Sequence, residues 1–383
     1  MQQKDKREKG WVGSWAAAQQ LVEEHNMPPE PGLANNTLRQ VIRVSIGGEK
    51  IRLKFSNEYG NSPLHIKAAQ LAVARGGSAI DTSSLKEISF GGDKSVSIAP
   101  GEVVVSDTLD YELPGLTTMA ITLYFGDVPT DLTGHPGSRT ISYIMPGKAL
   151  DAGEMSTAIR TEHWYVISGL DILTEEPEAR AVVALGDSIT DGRGSTTDGN
   201  DRWTDVLADR LQANGGTAKV AVLNQGIGGN RILRGGLGPA VLSRFERDVL
   251  AQSGVRYLIV FEGVNDIGEE GYKPETAEEL IKAYRLFIEK AHEQDILVYG
   301  ATILPFGGSQ YDNKENEETR QKVNHWIRNS GEFDAVLDFA AAVEDPENPG
   351  WLYSLYDSGD HLHLSPAGYK KLAESIELAL FNK

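Results

Sequence analysis

The sequence predicts an α/β protein in two parts. A C-terminal doubly wound parallel sheet of about five strands, in three α/β/α layers, follows an antiparallel β-sandwich of jelly-roll type. Two patterns predict this fold. From about Gly10 to Ile172 apolar and polar residues mostly alternate, as in half-buried strands. Beyond residue 180, short apolar runs alternate with helical patterns, as in a doubly wound sheet. The length of 383 residues also exceeds that of most single domains.

The clearest strands of the N-terminal half predict a hairpin. Apolar residues alternate over 42–46, and the alternation resumes over 51–55 after Gly47-Gly48, a pair that favours a tight turn. Further candidate strands, separated by Gly, Pro, Asp and Asn, are 66–73, 95–98, 103–106, 119–125 and 139–144. Short strands at this spacing, without an amphipathic helix among them, are typical of a sandwich.

Residues 174–180 contain three glutamates and a proline, and predict a linker between an N-terminal domain at 10–173 and a C-terminal domain at 181–383. In the C-terminal domain we expect strands near 181–185, 219–223, 257–261, 296–302 and 335–338.

Helices are expected between these strands. One helical face is formed by Trp203, Val206, Leu207 and Leu211. A second consists of the apolar residues over 280–291. Ser365 before Pro366 predicts the N-cap and first residue of a last helix that reaches Phe381.

The composition excludes several partners and chemistries. The net charge of -18, from 37 Lys and Arg against 55 Asp and Glu, disfavours nucleic acid and anionic membranes as partners. The chain has no cysteine, which excludes disulfides, thiol catalysis and cysteine-bound metals. No apolar run approaches the roughly 18 residues of a membrane span.

The first nine residues are polar and lack the apolar core of a signal peptide. Two interpretations remain open: a cytoplasmic protein, or a secreted or periplasmic one whose signal has been replaced by Met1. A hydrophilic leader suits a tether behind a processed anchor, so export is slightly favoured.

Polar motifs follow three of the apolar runs, namely Gly186-Asp187-Ser188, 224–230 and 263–266, and a fourth motif lies at 360–363. Ligands bind an open parallel sheet at the carboxyl ends of its strands, so we expect the motifs to converge on one site. They supply a hydroxyl group, a carboxylate–imidazole pair and hydrogen-bond donors. These are the parts of an acyl-transfer catalyst.

Ser188 is the candidate nucleophile, because it lies where a strand ends and the chain turns. The spacing Asp360-x-x-His363 lets the carboxylate reach the imidazole Nδ1 and leaves Nε2 for the serine. Taken alone, such a serine is more often a helix cap, and the Asp could cap the helix at Ser365. His361 and His363 also suggest a metal pair, but no third ligand has a suitable spacing, so no metal is expected. His361 is then structural or a wall of the site.

The N–H groups of Ser188 and Gly229 and the side-chain amide of Asn265 are candidate donors to a tetrahedral oxyanion. Taken alone, the glycine-rich turn at 226–229 usually reflects backbone geometry. It lacks the Gly-Lys-Ser/Thr ending of a phosphate loop and the Gly-x-Gly-x-x-Gly spacing of a dinucleotide fold.

Together these residues resemble the GDSL or SGNH hydrolases. The four residues that name the SGNH family are matched by Ser188, Gly229, Asn265 and His363. The resemblance covers about residues 180–383, and the GDSL leucine is replaced by Ile189. It implies a flavodoxin-like sheet and a serine esterase without a cofactor. Ser188, Asp360 and His363 would be catalytic, and Ser188, Gly229 and Asn265 would bind the oxyanion.

The N-terminal half is similar to a two-domain subset of these hydrolases, through residues 10–17 and 38–60. Members of that subset look like acetyl or aryl esterases, some of them associated with xylan. The resemblance implies a small-molecule or glycan ester as the partner. Together with the lack of a long apolar lid segment, it favours a short acyl group such as acetyl on a carbohydrate or aryl alcohol.

Two alternatives stay open: a lipase or thioesterase for longer acyl chains, and a carbohydrate-binding protein whose hydrolase half is inactive. The intact set of catalytic positions argues against the second. The candidate substrate contacts, chosen for their nearness to the motifs, are Asp187, Arg202, Trp203, Arg231 and His361. Trp203 equally fits a core anchor of its helix. The oligomeric state is left open.

Overall fold

The computed structural model describes residues 10–269 and 273–382. The leader on which the export interpretation rests lies outside these residues. The strands of the N-terminal half are β1 (Trp11–Ala16), β2 (Gln20–Leu21), β3 (Thr37–Arg43), β4 (Gly48–Ser56), β5 (Leu64–Gly76), β6 (Ala79–Ile80), β7 (Lys86–Ile88), β8 (Val96–Ile98), β9 (Val103–Val105), β10 (Leu109–Leu113), β11 (Thr118–Phe125), β12 (Thr133–His135), β13 (Ser142–Met145), β14 (Ile159–Thr161), β15 (Trp164–Tyr165) and β16 (Ile167–Leu173). Short 3-10 turns lie at Glu24–Asn26 and Thr82–Ser84.

These strands form antiparallel sheets, as predicted. One sheet has the order β1-β16-β4-β10 with β9 beside β4, and a second has the order β14-β13-β3-β11-β5-β6 with β7 and β8 also on β5. A small third sheet joins β15, β12 and β2. On β4 alternate residues are buried, while Arg52 and Lys54 between them pair with the buried Asp171 of β16 at 3.0 and 2.9 Å. The period-two pattern therefore marks an inner apolar face and an outer charged face.

The predicted hairpin is wrong, because β3 and β4 belong to different sheets. Neither Gly47 nor Gly48 has the positive φ that tight hairpin turns require. Instead, a side chain on Gly47 would begin 2.1 Å from the carbonyl oxygen of Leu113. The chain crosses from one sheet to the other here, and the apolar residues on both sides of the crossing enter the same core.

The C-terminal half contains β17 (Arg180–Gly186), β18 (Val220–Gly226), β19 (Val255–Phe261), β20 (Leu297–Ala301) and β21 (Ala335–Leu337). They form one parallel sheet with the order β18-β17-β19-β20-β21. The helices are α1 (Ser188–Asp191), α2 (Trp203–Ala213), α3 (Val241–Phe245), α4 (Val264–Gly268), α5 (Thr276–His292), α6 (Lys314–Asn329), α7 (Phe339–Val343) and α8 (Pro366–Ser375). A π-helical turn lies at Glu246–Leu250 and a 3-10 turn at Leu378–Asn382. The five-stranded α/β prediction is confirmed. The strand order reverses at β17, where such sheets bind their ligands.

Two helices differ from the sequence prediction. The last helix begins as expected, with the Ser365 hydroxyl accepting from the Gly368 N–H, but α8 ends at Ser375 rather than at Phe381. Helix α6 was not predicted, because polar residues such as Arg320 and Asn324 occupy part of its buried face. Among the described helices, none combines the length and apolar character needed to cross a membrane.

The N-terminal half covers one edge of the parallel sheet. At the edge strand β18, the hydroxyl oxygen of Ser45 accepts from the Val222 N–H at 3.0 Å, and the same hydroxyl lies 3.2 Å from the Val222 carbonyl oxygen. Nearby, Gly13 on β1 lies so close to Leu223 that a side chain there would begin 2.9 Å from it. The two halves therefore share a packed interface at this edge.

Candidate active site

Ser188 is held at the carboxyl end of β17 by a very tight turn. A side chain on Gly186 would begin 2.2 Å from the hydroxyl of Thr190, so the chain can reverse here only with glycine. The Asp187 carboxylate caps helix α1 by accepting from the Ile189 N–H at 2.9 Å. Gly192, with a φ of 102°, ends the helix after one turn. Ser188, the first residue of α1, thus lies at the topological switch point of the sheet.

The structure brings Ser188, His363 and Asp360 into one hydrogen-bonded line. The serine Oγ lies 2.8 Å from His363 Nε2, and His363 Nδ1 lies 2.7 Å from Asp360 Oδ2. The other oxygen of Asp360 accepts from the backbone N–H groups of His363 and Leu362 at 2.8 and 3.0 Å. Because Nδ1 faces a carboxylate, it carries the ring proton and leaves Nε2 to accept from the serine hydroxyl.

The protonation states of Asp360 and His363 follow from their surroundings. Burial raises the pKa of the Asp360 carboxyl, but hydrogen bonds from the backbone and ring of His363 outweigh it and hold that pKa well below its usual value. Burial lowers the pKa of His363, the Asp360 carboxylate opposes the shift, and the nearby guanidinium groups of Arg193 and Arg139 add to it. The net pKa of His363 lies below its ordinary value, so the ring is neutral near pH 7.

Gly229 contributes a backbone N–H group next to the turn that carries the serine. Its φ of 65° and the position of Leu237, 2.8 Å from where a side chain would begin, both require glycine. No acceptor within the described ranges takes the Gly229 N–H. Two residues earlier, the Ile227 N–H donates to the Gly186 carbonyl at 3.1 Å, which fixes this loop against the serine turn.

Asn265, on α4, presents its side-chain amide in a fixed orientation. Its Nδ2 donates to the Asn230 carbonyl at 2.8 Å, and its Oδ1 accepts from the Tyr311 hydroxyl at 2.9 Å. One hydrogen of the amide is used by Asn230, which leaves the second available. Tyr311 was not predicted from the sequence, because it lies on a loop 46 residues further along the chain.

Three of the predicted substrate contacts occupy structural positions. Trp203 is fully buried, with its ring against Phe261 and Phe339, so its predicted contact with substrate is wrong. Arg202 is also buried and pairs with Asp205 at 2.6 Å, and its guanidinium group faces Trp164 of the N-terminal half. Asp187 is 2% exposed and its carboxylate is used by the helix cap. For Arg202 and Asp187, which serve these structural contacts, contact with a substrate stays a prediction.

The other two predicted contacts are on loops beside the site. The guanidinium group of Arg231 donates to the Gly235 carbonyl and lies 3.8 Å from Glu269. His361 is half exposed, and its Nδ1 lies 2.5 Å from Asp357. For these two residues, contact with a substrate stays a prediction.

A buried charge network behind the serine was missed by sequence reasoning. Arg244 is fully buried and donates to the Gly186 and Gln225 carbonyls and to Asp248. Its guanidinium group also lies 3.9 Å from Glu262. A signal existed in the sequence: Arg244 and Asp248 are four residues apart on the apolar face that starts at Val241.

The carboxyl groups of this region are strongly perturbed. Burial raises the pKa of Asp187 to about 7 and that of Asp266 to about 6. Burial also raises the pKa of Glu262 well above its usual value. These groups hold protons that exposed carboxylates would lose. Within residues 10–269 and 273–382, no three His, Asp or Glu side chains are grouped as a metal site.

The N-terminal half reaches the site through His135 and Arg139. His135 is buried, with Nδ1 2.8 Å from the Ala18 carbonyl and Nε2 2.8 Å from Asp191 Oδ1. Arg139 lies 3.6 Å from the other oxygen of Asp191. Since Asp191 ends helix α1, both residues support the turn that carries the serine. Local sequence patterns give no signal for such a contact between the halves.

Comparison with known proteins finds a family match over the part of the chain that contains Ser188 and His363. The family model of the GDSL-like Lipase/Acylhydrolase family matches residues 184–371. A search of curated proteins found no match.

Solved structures similar to part of this chain include a protein from Desulfitobacterium hafniense DCB-2 that is provisionally described as a G-D-S-L family lipolytic protein. It is 27% identical over 51% of this chain and 96% of that one, with a TM-score of 0.40. An acetyl xylan esterase is 25% identical over 51% and 96% of the two chains, with a TM-score of 0.39. A catalytic mutant of an acetylxylan esterase from Geobacillus stearothermophilus is 22% identical over 51% and 91%, with a TM-score of 0.40.

The family match begins on β17 and ends within α8, so it contains the serine turn, the glycine loop, α4 and the Asp360–His363 segment. Residues 184–371 therefore form a GDSL-like lipase/acylhydrolase domain.

Proposed function

We propose that the protein is a serine carboxylic-ester hydrolase that acts through an acyl-enzyme and releases short acyl groups, acetyl above all, from carbohydrate or aryl esters. The observation that carries the proposal is the hydrogen-bonded line from Ser188 through His363 to Asp360. A serine oxygen 2.8 Å from a neutral imidazole nitrogen is placed to lose its proton as it attacks.

In the first step, Ser188 Oγ attacks the ester carbonyl carbon while its proton moves to His363 Nε2. The carbonyl electrons move onto the oxygen, and the Asp360 carboxylate stabilises the imidazolium that forms. The oxyanion is held by the N–H groups of Ser188 and Gly229 and by the free amide hydrogen of Asn265. Each such donor typically contributes about 3 kcal/mol to transition-state stabilisation.

The second half of the reaction regenerates the serine. As the tetrahedral intermediate collapses, the C–O bond to the alcohol breaks and the leaving oxygen takes the proton from His363 Nε2. A water molecule then gives a proton to the same nitrogen and adds its oxygen to the acyl carbon. Collapse of this second intermediate returns the proton to Ser188 Oγ and releases the carboxylic acid.

The surroundings of the site support a polar substrate with a small acyl group. Arg193 is exposed, and Arg139 and His361 are partly exposed beside the His363 segment. Charged and polar groups at the rim of a site suit the hydroxyl-rich surface of a sugar better than a long alkyl chain. The similarity of the N-terminal half to acetyl and aryl esterases favours the same substrate class.

Acetate release from acetylated xylan tests the proposal, with Ser188→Ala as the blank and Ser375→Ala, an exposed serine on α8, as the matched control. We expect release by the wild type and by Ser375→Ala. The Ser188→Ala variant should lose roughly four orders of magnitude or more in rate without a change in thermal unfolding. Equal turnover by Ser188→Ala would overturn the mechanism.

Small aryl esters separate the mechanism from the substrate. Cleavage of 4-nitrophenyl acetate without release of acetate from acetylated xylan would support the serine esterase mechanism and reject xylan as the substrate. A clear preference for the octanoate over the acetate would instead support a lipase or thioesterase. Retention of glycan by Ser188→Ala, without any turnover by the wild type, would indicate a binding protein.

A further inference from the structure

The loop at 231–240 places one apolar side chain against the glycine whose N–H is a proposed oxyanion donor. A side chain on Gly229 would begin 2.8 Å from Leu237 Cδ1, and the Cγ and Cβ atoms of that leucine lie 3.4 and 3.5 Å from the same point. This point is one bond from the Gly229 Cα, so Leu237 is a direct neighbour of the proposed donor. Leu237 is nevertheless 53% exposed, which leaves the rest of its side chain open to a ligand.

The tip of this loop, at 235–238, consists of Leu237 and three glycines. The tip is closed by the Gly236 N–H, which donates to the Gly238 carbonyl at 3.0 Å. A side chain on Gly238 would begin 2.9 Å from Cγ2 of Ile227, a residue of the glycine-rich turn beside the serine. The tip therefore packs its backbone closely against the site and projects the leucine as its single side chain.

Both ends of the loop are hydrogen-bonded to elements of the site. At its start, the carboxylate of Asp266 on α4 accepts from the N–H groups of Ile232 and Leu233 at 2.9 Å each. Near its end, the Pro239 carbonyl accepts from Nδ2 of Asn230, the residue after the proposed glycine donor, at 2.9 Å. The loop is therefore held in place from both sides, and the position of its tip is set by the fold.

The proposed reaction determines where the two parts of the ester lie. The leaving alcohol lies beside His363, because it takes its proton from Nε2 of that ring. The acyl group is attached to the same carbonyl carbon by another bond and points away from the histidine. Leu237 lies on the loop beside the oxyanion donor instead, and its apolar surface suits an alkyl group better than the hydroxyl groups of a sugar.

We propose that Leu237 is the wall of an acyl subsite and limits the acyl group to acetyl by occupying the space that a longer chain would need. The proposal rests on the ester hydrolase function above and deepens it, because it names one residue that sets the length of the acyl group. The methyl group of an acetyl ester fits beside this wall, whereas further methylene groups would have to displace the leucine from Gly229.

A series of 4-nitrophenyl esters that differ only in acyl length tests the proposal. The measured quantity is the ratio of kcat/KM for the butyrate to that for the acetate, each corrected for its rate of alkaline hydrolysis. We expect a ratio well below one for the wild type. In Leu237→Ala, which removes the wall, the ratio should rise roughly tenfold or more, because an apolar pocket discriminates a single methylene group by about that factor.

Two further variants serve as controls. Leu237→Met keeps nearly the same side-chain volume and should retain the wild-type ratio. Leu286→Ala truncates another exposed leucine, on the outer face of α5, and should also retain it. Thermal unfolding should change little in any of these variants, because truncation of an exposed side chain removes few buried contacts.

The direction of the change separates a wall from a groove that binds the acyl chain. A fall of the ratio in Leu237→Ala would mean that the leucine binds longer chains, and this would overturn the proposal. An unchanged ratio would overturn it as well, and an equal loss of kcat/KM on both esters would assign Leu237 to support of the Gly229 loop. If the wild type cleaves neither ester, the proposed function itself fails, whereas cleavage of both at similar rates rejects only the acyl subsite.

Discussion

Tyr311 fixes the orientation of Asn265, since its hydroxyl donates to Oδ1 and the Asn230 carbonyl accepts from Nδ2. Without the phenol, the amide can turn its oxygen toward the oxyanion. We therefore expect Tyr311→Phe to lower kcat about tenfold with little change in KM, because the lost contact acts on the transition state. Steady-state kinetics on 4-nitrophenyl acetate measure both constants.

The matched control is Tyr124→Phe, which removes a tyrosine hydroxyl from β11 in the N-terminal half, away from the site. It should leave kcat and KM unchanged. A rise in KM at constant kcat for Tyr311→Phe would contradict the positioning role.

The lowered pKa of His363 determines how activity depends on pH. The base form is required for attack, so kcat/KM should rise as pH increases through the pKa of the free enzyme. Because that pKa lies below its ordinary value, the midpoint of the rise should fall below about pH 6.5. Removing one nearby cation in Arg193→Gln should move the midpoint upward. A wild-type midpoint at or above pH 7 on a neutral ester would contradict this account.

At this scale the sequence identified the residues that follow strands and missed those that support them. Ser188, Asp360 and His363 belong to short motifs, so their proposed roles follow from spacing, and the structure joins the three side chains by hydrogen bonds. Tyr311 and Arg244 act through contacts that tertiary folding creates, and no local pattern marks them. Trp203 was misassigned because nearness in sequence to a motif does not indicate which face of a helix is buried.

At the scale of elements, the turn from β17 into α1 carries an ionisable cap. Burial raises the pKa of Asp187 to about 7, above the value near 4 of an unfolded aspartate. The folded protein therefore binds this proton more tightly than the unfolded chain. The contribution to stability is fully present below about pH 4 and is lost as pH rises through about 7.

Asp187→Asn keeps the capping oxygen and removes the titration. We expect the midpoint of thermal unfolding to fall less between pH 5 and pH 8 in this variant than in the wild type. Glu262 and Asp266 shift in the same direction, so part of the slope should remain. Asp110→Asn, at an exposed position on β10, should retain the wild-type slope. An unchanged slope in Asp187→Asn would show that this carboxyl does not hold a proton in the fold.

The elements also show where periodicity succeeds and fails. Alternation located β4 and β11, and apolar runs located all five parallel strands, because burial of one or both faces leaves a direct mark on the sequence. The sequence indicates much less clearly which strands pair with each other in a sheet. Gly47-Gly48 looked like a hairpin turn, yet the glycines are needed for close packing at a crossing between sheets. Helix α6 escaped prediction because its buried face carries hydrogen-bonded polar side chains.

At the scale of the whole molecule, His135 joins the N-terminal half to the nucleophile turn. Both of its ring nitrogens face oxygen acceptors, Ala18 on one side and Asp191 on the other. Removing the imidazole leaves the buried Ala18 carbonyl and Asp191 carboxyl oxygens without that hydrogen-bond partner, which typically costs about 3 kcal/mol in total. We expect His135→Ala to lower the free energy of unfolding by about that amount and to lower kcat with it.

The matched control is His65→Ala, which breaks the exposed contact with Asp127 at 3.4 Å and should cost under about 1 kcal/mol. Adding Asp191→Asn to His135→Ala should restore part of the loss, as chemical unfolding of the double variant would reveal. Equal effects of His135→Ala and His65→Ala would mean that the hydrogen bonds of His135 contribute no more to the free energy of unfolding than an exposed contact does.

The covered edge of β18 has a consequence for any attempt to shorten the protein. A fragment that begins at the linker would keep every residue matched by the family, yet it would lose Ser45 from Val222 and leave that strand with unpaired backbone groups. An open, apolar edge strand is a template for pairing with another chain. Such a fragment would be expected to self-associate through this edge, so a stable truncation is expected to need more of the chain than the segment that the family model matches.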